Sequence, residues 1–303
     1  MRMYKRFYIM WAAAGVLLAS CVKDELYNTP HPDKGAVQVT TDWTGCSSDA
    51  VLPADYILRI GSEEQTVARS SSAEGSEATA FKSLLLPETQ SLLVYHQAEG
   101  VTVSGTTATV NTLEDGTLNP MPGFLFSASK ELEIQKDDTL KVTVPMMQRI
   151  RTLALTLKLK PGDEQLITET AATLTGIASS VDLATGSLTA AEGKTVVPIF
   201  TMGTGGGETR AAGDPILTAS LRLPGVMTGE KQELTLAVTL TDGTVQNVVT
   251  DLTQALKNFG SGKMEPLALD ATLTLPDVED NAAEVSATIS DWNKVDYGEI
   301  EAE

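Results

Sequence analysis

The sequence contains only two histidines, which limits the acid–base chemistry available to the chain. His31 lies between two prolines in a polar stretch, and His96 ends a predicted strand. A Ser-His-Asp triad would have to use His96, and no Gly-x-Ser-x-Gly elbow occurs. No H-x-x-x-H pair, C-x-x-C pair or D-x-D-x-D-G loop is present either. The sequence therefore predicts a protein that is not an enzyme and has no cofactor or metal site. A calcium ion held by loop carboxylates is the alternative.

Two further patterns have residue types that could act chemically. The carboxylate pairs at 137–138 and 279–280 are of the kind that glycosidases use, but both fall at turns or strand edges, where charge is ordinary. The run GTGGGE (203–208) lacks the Gly-Lys-Ser/Thr ending of a phosphate-binding loop, and a predicted strand follows it instead of a helix. We interpret the pairs as surface charge and the glycine run as a hairpin tip.

Residues 1–20 have the organisation of a secretory signal peptide. An apolar run of about 12 residues (7–18) follows a basic start, and it is shorter than the roughly 20 residues that cross a bilayer. The small residues Ala19 and Ser20 then precede Cys21. The basic residues at the start are Arg2, Lys5 and Arg6. We predict cleavage between Ser20 and Cys21.

The residues around this point resemble the lipobox of bacterial lipoproteins, which reads Leu-Ala-Ser-Cys at 18–21. The resemblance implies that Cys21 becomes the first residue and carries lipid, palmitate included, on its sulfur and its amino group. The next charged residues, Lys23, Asp24 and Glu25, are similar to the surface-export signal of Bacteroidetes-type lipoproteins. The implied location is the outer membrane, facing the exterior. The alternative is that these charged residues only keep the tether solvated.

The net charge excludes some classes of partner. The formal charge is −18, and removal of residues 1–20 takes away three positive and no negative charges, which leaves −21. Such a surface does not suit nucleic acid or anionic lipid headgroups. If Cys21 is lipidated, Cys46 has no partner for an intramolecular disulfide. With no basic residue or histidine beside it, Cys46 is interpreted as a packing residue or a loop thiol.

Alternating apolar and polar residues predict many short strands separated by turns, which is typical of β-sandwiches. The clearest segments are AVQVTTDW (36–43), DYILRI (55–60), SLLVYH (91–96), RIRTLALTLKLKPGDE (149–164) and LALDATLTLP (267–276). We predict an all-β protein with one or two short helices.

The predicted organisation is a tether (21–35), a first sandwich domain (36–147) and a second (148–303). The helices are predicted at 168–179 and 251–260. The second helix has a capping pattern at its start, an apolar face and a glycine at its end.

Four segments, taken in order, resemble the fimbrillin superfamily, in its branch of fimbrillin-associated anchors and minor fimbrial subunits. They are VQVTTDW (37–43), LTGIASSVDLATGSL (174–188), LTQALKNFGSGKMEPLALDATLTL (252–275) and ATISDWNKVDYGEIEAE (287–303). The resemblance implies two tandem transthyretin-like β-sandwiches that join other fimbrial subunits by β-strand exchange. It implies a fimbrial anchor or terminal subunit that supports adhesion and biofilm. Processing after Arg69 would separate the lipid from the rest of the chain, so an uncut chain is expected.

A surface lipoprotein that binds glycans for a polysaccharide uptake system is the competing function. Glycan sites usually stack sugars on exposed aromatic side chains, and aromatic residues make up only 5% of this sequence. We therefore expect the fimbrial function in preference to the glycan-binding one.

Overall fold

The computed structural model describes residues 32–69, 78–205, 213–262, 264–276 and 286–295. Within these ranges the chain is built from short strands, and one 3-10 turn, Asp163–Gln165, is the only helical element. This confirms the all-β prediction. No helix in the described ranges has the length and apolar character needed to cross a bilayer.

The first part of the chain contains a sandwich of two sheets. A three-stranded sheet has the order β4-β1-β9, and a five-stranded sheet has the order β10-β8-β5-β2-β3. Their inner faces share one core, to which β1 contributes Val37 and Val39 and β8 contributes Phe126. The strands of this part are β1 (Ala36–Asp42), β2 (Asp55–Ile60), β3 (Glu63–Ala68), β4 (Ala78–Ala80), β5 (Thr89–Tyr95), β6 (Val101–Ser104), β7 (Thr107–Val110), β8 (Phe126–Glu133), β9 (Thr139–Pro145) and β10 (Met147–Gln148).

The second part repeats the arrangement with a larger core. A six-stranded sheet has the order β15-β16-β11-β19-β20, with β21 also on β19, and a three-stranded sheet has the order β12-β17-β18. The long predicted strand at 149–164 is confirmed as β11, which alternates between buried leucines and half-exposed residues. The strands of this part are β11 (Arg151–Lys158), β12 (Ile167–Leu174), β13 (Ser180–Asp182), β14 (Leu188–Thr189), β15 (Thr201–Thr204), β16 (Pro215–Leu223), β17 (Glu233–Leu240), β18 (Val245–Asp251), β19 (Leu267–Thr274), β20 (Thr288–Ile289) and β21 (Asn293–Lys294).

A third core joins the two parts, and we call it the seam. It is covered by a four-stranded sheet, β14-β13-β7-β6, in which strands from before and after the predicted boundary at 147/148 pair with each other. The division into two domains at that boundary remains a prediction. The seam contains Leu93, Tyr95, Ala98, Val101, Ala108, Leu125, Ile150, Val181 and Leu183.

Both predicted helices are wrong. Most of the first, 168–179, is β12, because its alternating residues Ala172 and Leu174 turn into the core while the strand pairs with β17. The second, 251–260, is a run of turns in which the apolar face is buried as predicted and Gly260 has a positive φ of 88°. Leu256 N–H donates a hydrogen bond to the carbonyl four residues earlier, as in an α-helix, whereas Phe259 N–H donates to the carbonyl three residues earlier. The backbone hydrogen bonds therefore do not form a regular helix.

Candidate functional surfaces

The residues predicted to carry lipid and export information lie outside the described residues. This holds for Ser20, Cys21, Lys23, Asp24 and Glu25. It also holds for His31 and for the carboxylate pair at 279–280. Lipidation, cleavage and export therefore remain predictions.

His96 is buried in the first sandwich and contacts no catalytic partner in the described structure. Its side chain is 6% exposed, and its ring lies 5.7 Å from the ring of Phe126. Burial lowers the pKa of His96, against the opposing effects of hydrogen bonds to the backbone of Phe124 and Phe126 and of the Asp55 charge. Its Nδ1 atom has no hydrogen-bond partner among the described residues. The arrangement is that of a neutral core histidine.

This burial predicts a pH-dependent loss of stability. The pKa of His96 in the folded protein lies below its value in the unfolded chain, about 6.5, so the unfolded state takes up the proton first. The stabilising contribution of neutral His96 is complete above pH ~6.5 and is lost as the pH falls from there through the lowered folded pKa. In urea titrations at pH 7 and pH 5, His96→Gln should lose less free energy of unfolding than the parent. An equal loss in both proteins would contradict the assignment.

Cys46 and Arg69 lie near each other at the edge of the first core. Burial, followed by the charge of Asp42, raises the pKa of the Cys46 thiol to about 11, with Arg69 opposing. The thiol is therefore protonated at neutral pH and packs against the core as a small apolar group. Arg69 Nε donates a hydrogen bond to the carbonyl of Pro53 at 2.8 Å, and its backbone N–H donates to Ala54. An uncut chain at Arg69 remains a prediction.

The carboxylate pair at 137–138 belongs to the turn between β8 and β9. Asp137 adopts a positive φ of 55°, and the carbonyl of Asp138 accepts a hydrogen bond from Ala36 N–H at 2.8 Å. Asp137 N–H donates to the carbonyl of Lys34. The pair thus helps to hold the start of β1. Among the described residues, no group of three or more His, Cys, Asp or Glu side chains could hold a metal ion.

The two sheets of the second sandwich are connected along one side, which we call closed, and end in strands with few further partners along the other, which we call open. On the closed side, Ala287 N–H donates to Gln246 and Trp292 Nε1 donates to Thr250, which links the segment after β19 to β18. The opposite side is therefore bounded by the end strands β12 and β15. Along this open side, β12 gains only a bridge from Leu174 to Val196 within the described ranges.

Exposed apolar side chains follow that bridge along the chain. Ile199 follows Val196 by three residues and is 68% exposed, and Met202 in β15 is 43% exposed. We call β12, β15, Ile199 and Met202 the open edge. The sequence interpretation missed it, although the apolar run VVPIF (196–200), which does not alternate, was a signal. An end strand with apolar neighbours is a surface to which another strand can add.

The family model for fimbrillin-A associated anchor proteins Mfa1 and Mfa2 matches residues 54–298. The chain belongs to this family. The resemblance seen in the sequence segments is thereby confirmed. Membership in the anchor-protein family indicates a fimbrial or adhesin role at the cell surface, in association with fimbrial subunits. Proteins of these classes are not enzymes. No curated protein sequence matches the chain.

Solved structures share the fold at low sequence identity. The fimbrial anchor protein Mfa2 from Porphyromonas gingivalis is 10% identical, with 86% of this chain and 97% of that chain covered and a TM-score of 0.57. A candidate adhesin from Bacteroides ovatus is 15% identical, with 80% and 91% covered and a TM-score of 0.54. A candidate polysaccharide-binding protein from Bacteroides thetaiotaomicron is 8% identical, with 87% and 98% covered and a TM-score of 0.53. At these identities the likeness establishes the fold alone.

Proposed function

We propose that this protein is a non-enzymatic, lipid-anchored fimbrial subunit on the outer face of the outer membrane. In this role it anchors or terminates a pilus and supports adhesion and biofilm. The observation that carries the proposal is membership in the anchor-protein family over residues 54–298. The lipid on Cys21 supplies the attachment, and the residues up to Gly35 form the tether.

The way in which the chain enters the fold supports an uncut anchor. β1 lies between β4 and β9 and turns Val37, Val39 and Thr41 into the core. The first strand after the tether is thus an internal strand of its sheet. An uncut chain keeps the lipid and this strand on one covalent backbone, which is what an anchor needs.

The open edge supports assembly by β-strand complementation. A strand from a neighbouring subunit could pair with the free backbone groups of an end strand and cover the apolar side chains beside it. Ile199 is the most exposed apolar side chain of the open edge. We therefore propose the open edge as the place where a fimbrial partner adds its strand.

The experiment is crosslinking on intact cells followed by purification and quantitative mass spectrometry of the partners. Other fimbrial subunits should be recovered with the parent protein. Ile199→Asp should reduce their recovery at least about tenfold, because an unpaired carboxylate in an apolar contact costs more than ~1.4 kcal/mol. Val51→Asp is the matched control, since Val51 is 74% exposed and lies far along the chain in the loop after β1. Equal recovery from both variants would contradict the open-edge proposal.

Glycan binding is the second candidate function, and the fold shared with a candidate polysaccharide-binding protein favours it. The aromatic side chains count against it. Among the described residues, every aromatic side chain is buried or half-buried, including Trp43, which packs on Phe126, and Trp292, which packs on the second core. No flat aromatic surface in the described structure is available for stacking a sugar. Retention of the purified protein on a polysaccharide column, with no fimbrial partner recovered, would favour this candidate instead.

A further inference from the structure

The first and last strands of the three-stranded sheet in chain order, β1 and β9, lie side by side. The chain enters the three-stranded sheet at Ala36, the start of β1, and leaves that sheet after Pro145, the end of β9. These strands pair in parallel over seven consecutive residues, from Ala36 opposite Thr139 to Asp42 opposite Pro145. The entry and exit points are therefore at opposite ends of one parallel pair.

Contacts show which end of this pair faces the second part of the chain. The loop after β1 reaches that part directly: Ser48 Oγ donates to Glu265 at 2.7 Å, and Asp49 accepts from Thr152 Oγ1 at 2.6 Å. β9 continues through β10 into β11. The last residues of β1 and β9 therefore point toward the second part of the chain.

The start of β1 lies at the other end of the sandwich. There Ala36 N–H donates to Asp138, Gly35 pairs with Leu85, and Lys34 accepts from Asp137 N–H. A pull on the residues before Ala36, resisted by the second part of the chain, consequently acts along the length of β1.

The direction of this pull decides how the strand pair comes apart. Tension applied at opposite ends of a parallel pair loads all of its evenly spaced hydrogen bonds together. Tension applied at the same end opens the bonds one after another. Sliding β1 along β9 is also opposed by the core, because a shift of one residue would move Val37, Val39 and Thr41 from the buried face to the half-buried face.

We infer that β1 and β9 form a mechanical clamp that resists extraction of the N-terminus when the protein is pulled by its membrane attachment. The inference rests on the proposed function for the origin of the load, since lipid on Cys21 would pull on the tether while a pilus pulls on the body. The resistance itself is a property of the strand arrangement, which is independent of the lipid.

The test compares two directions of force on the same strands. The chain from Val22 onward carries an N-terminal handle and the Cys46→Ala replacement, and a second handle is attached through one new cysteine. Pro161→Cys, exposed beyond the far end of β11, loads β1 and β9 from opposite ends. Lys136→Cys, exposed just before β9 and beside the start of β1, loads them from the same end.

In single-molecule pulling at equal loading rates, the handle at position 161 should give a first rupture force several-fold higher than the handle at position 136. Forced unfolding follows the unfolding rate along the pulled direction, so equal thermodynamic stability of the two variants does not remove the difference. Equal forces, or a lower force for position 161, would overturn the clamp. Neither outcome bears on whether Cys21 carries lipid, because the pulled protein lacks that residue.

Discussion

Replacement of Cys21 by Ala should move almost all of the protein from the membrane fraction to the soluble fraction. The physical reason is that each buried CH₂ group of a lipid chain contributes about 0.8 kcal/mol to membrane binding, so several acyl chains on one residue hold a protein almost permanently. The rest of the chain offers little to replace them. The described residues contain no helix that could cross a bilayer, and the formal charge of −18 opposes binding to anionic headgroups.

The second cysteine provides the matched control for this experiment. Cys46→Ala should leave the protein in the membrane fraction, because Cys46 is half-buried in the first sandwich with a protonated thiol. Radiolabelled palmitate should accordingly be incorporated into the parent and into Cys46→Ala, but not into Cys21→Ala. Continued membrane binding of Cys21→Ala would show that a different feature attaches the protein.

Local alternation was enough to predict several strands of this protein. The segments at 36–43, 55–60 and 267–276 are strands β1, β2 and β19, and in each the apolar residues of one face are buried. A period of two residues directly reflects the pleat of a strand that buries one face, so this signal needs no knowledge of the partners. The glycine run at 203–208, interpreted as a hairpin tip because a predicted strand follows it, begins in β15, which pairs in antiparallel with β16.

The pairing of distant strands could not be predicted in this way. The parallel contact of β1 with β9 and the contact of β7 with β13 join residues about 70 to 100 positions apart, and the partner depends on which buried faces meet. The wrong helix at 168–179 has a similar origin. Its Ala and Glu residues favour a helix, but a strand lets Ala172 and Leu174 enter the core and pairs the backbone with β17 without interruption from Glu169 to Leu174.

The candidate surface depends on the arrangement of the sheets, and the local pattern at 196–200 was only a signal for it. Ile199 and Met202 are exposed because the chain there runs along the open side of the second sandwich, opposite the side where β20 and Trp292 contact β18. The leader residues up to Cys21 are the opposite case. A signal peptide and lipobox are recognised from the order of residues along the chain, so the lipidation of Cys21 can be predicted from the sequence without knowledge of the fold.

A single truncation in the seam should cost substantial stability. Leu183 is fully buried there, and its carbonyl accepts hydrogen bonds from Ser127 Oγ at 2.7 Å and from Arg149 at 3.4 Å. Its side chain packs in one cluster with Tyr95 from the first part and Ile150 at the junction. Leu183→Ala removes three buried carbon atoms while these hydrogen bonds to the backbone hold the surroundings in place, which limits the collapse of the cavity.

We expect Leu183→Ala to lower the free energy of unfolding by about 2–5 kcal/mol, measured by urea titration, against a total of about 5–15 kcal/mol for a typical domain. Leu113→Ala is the matched control, since Leu113 is 47% exposed and should change the free energy by no more than about 0.5 kcal/mol. A cost for Leu183→Ala as small as that of Leu113→Ala would mean that the two parts are stable without the seam. A cost within the expected range would mean that the seam contributes directly to the stability of the folded chain, because the cluster that Leu183 completes joins Tyr95 of the first part to residues of the second part.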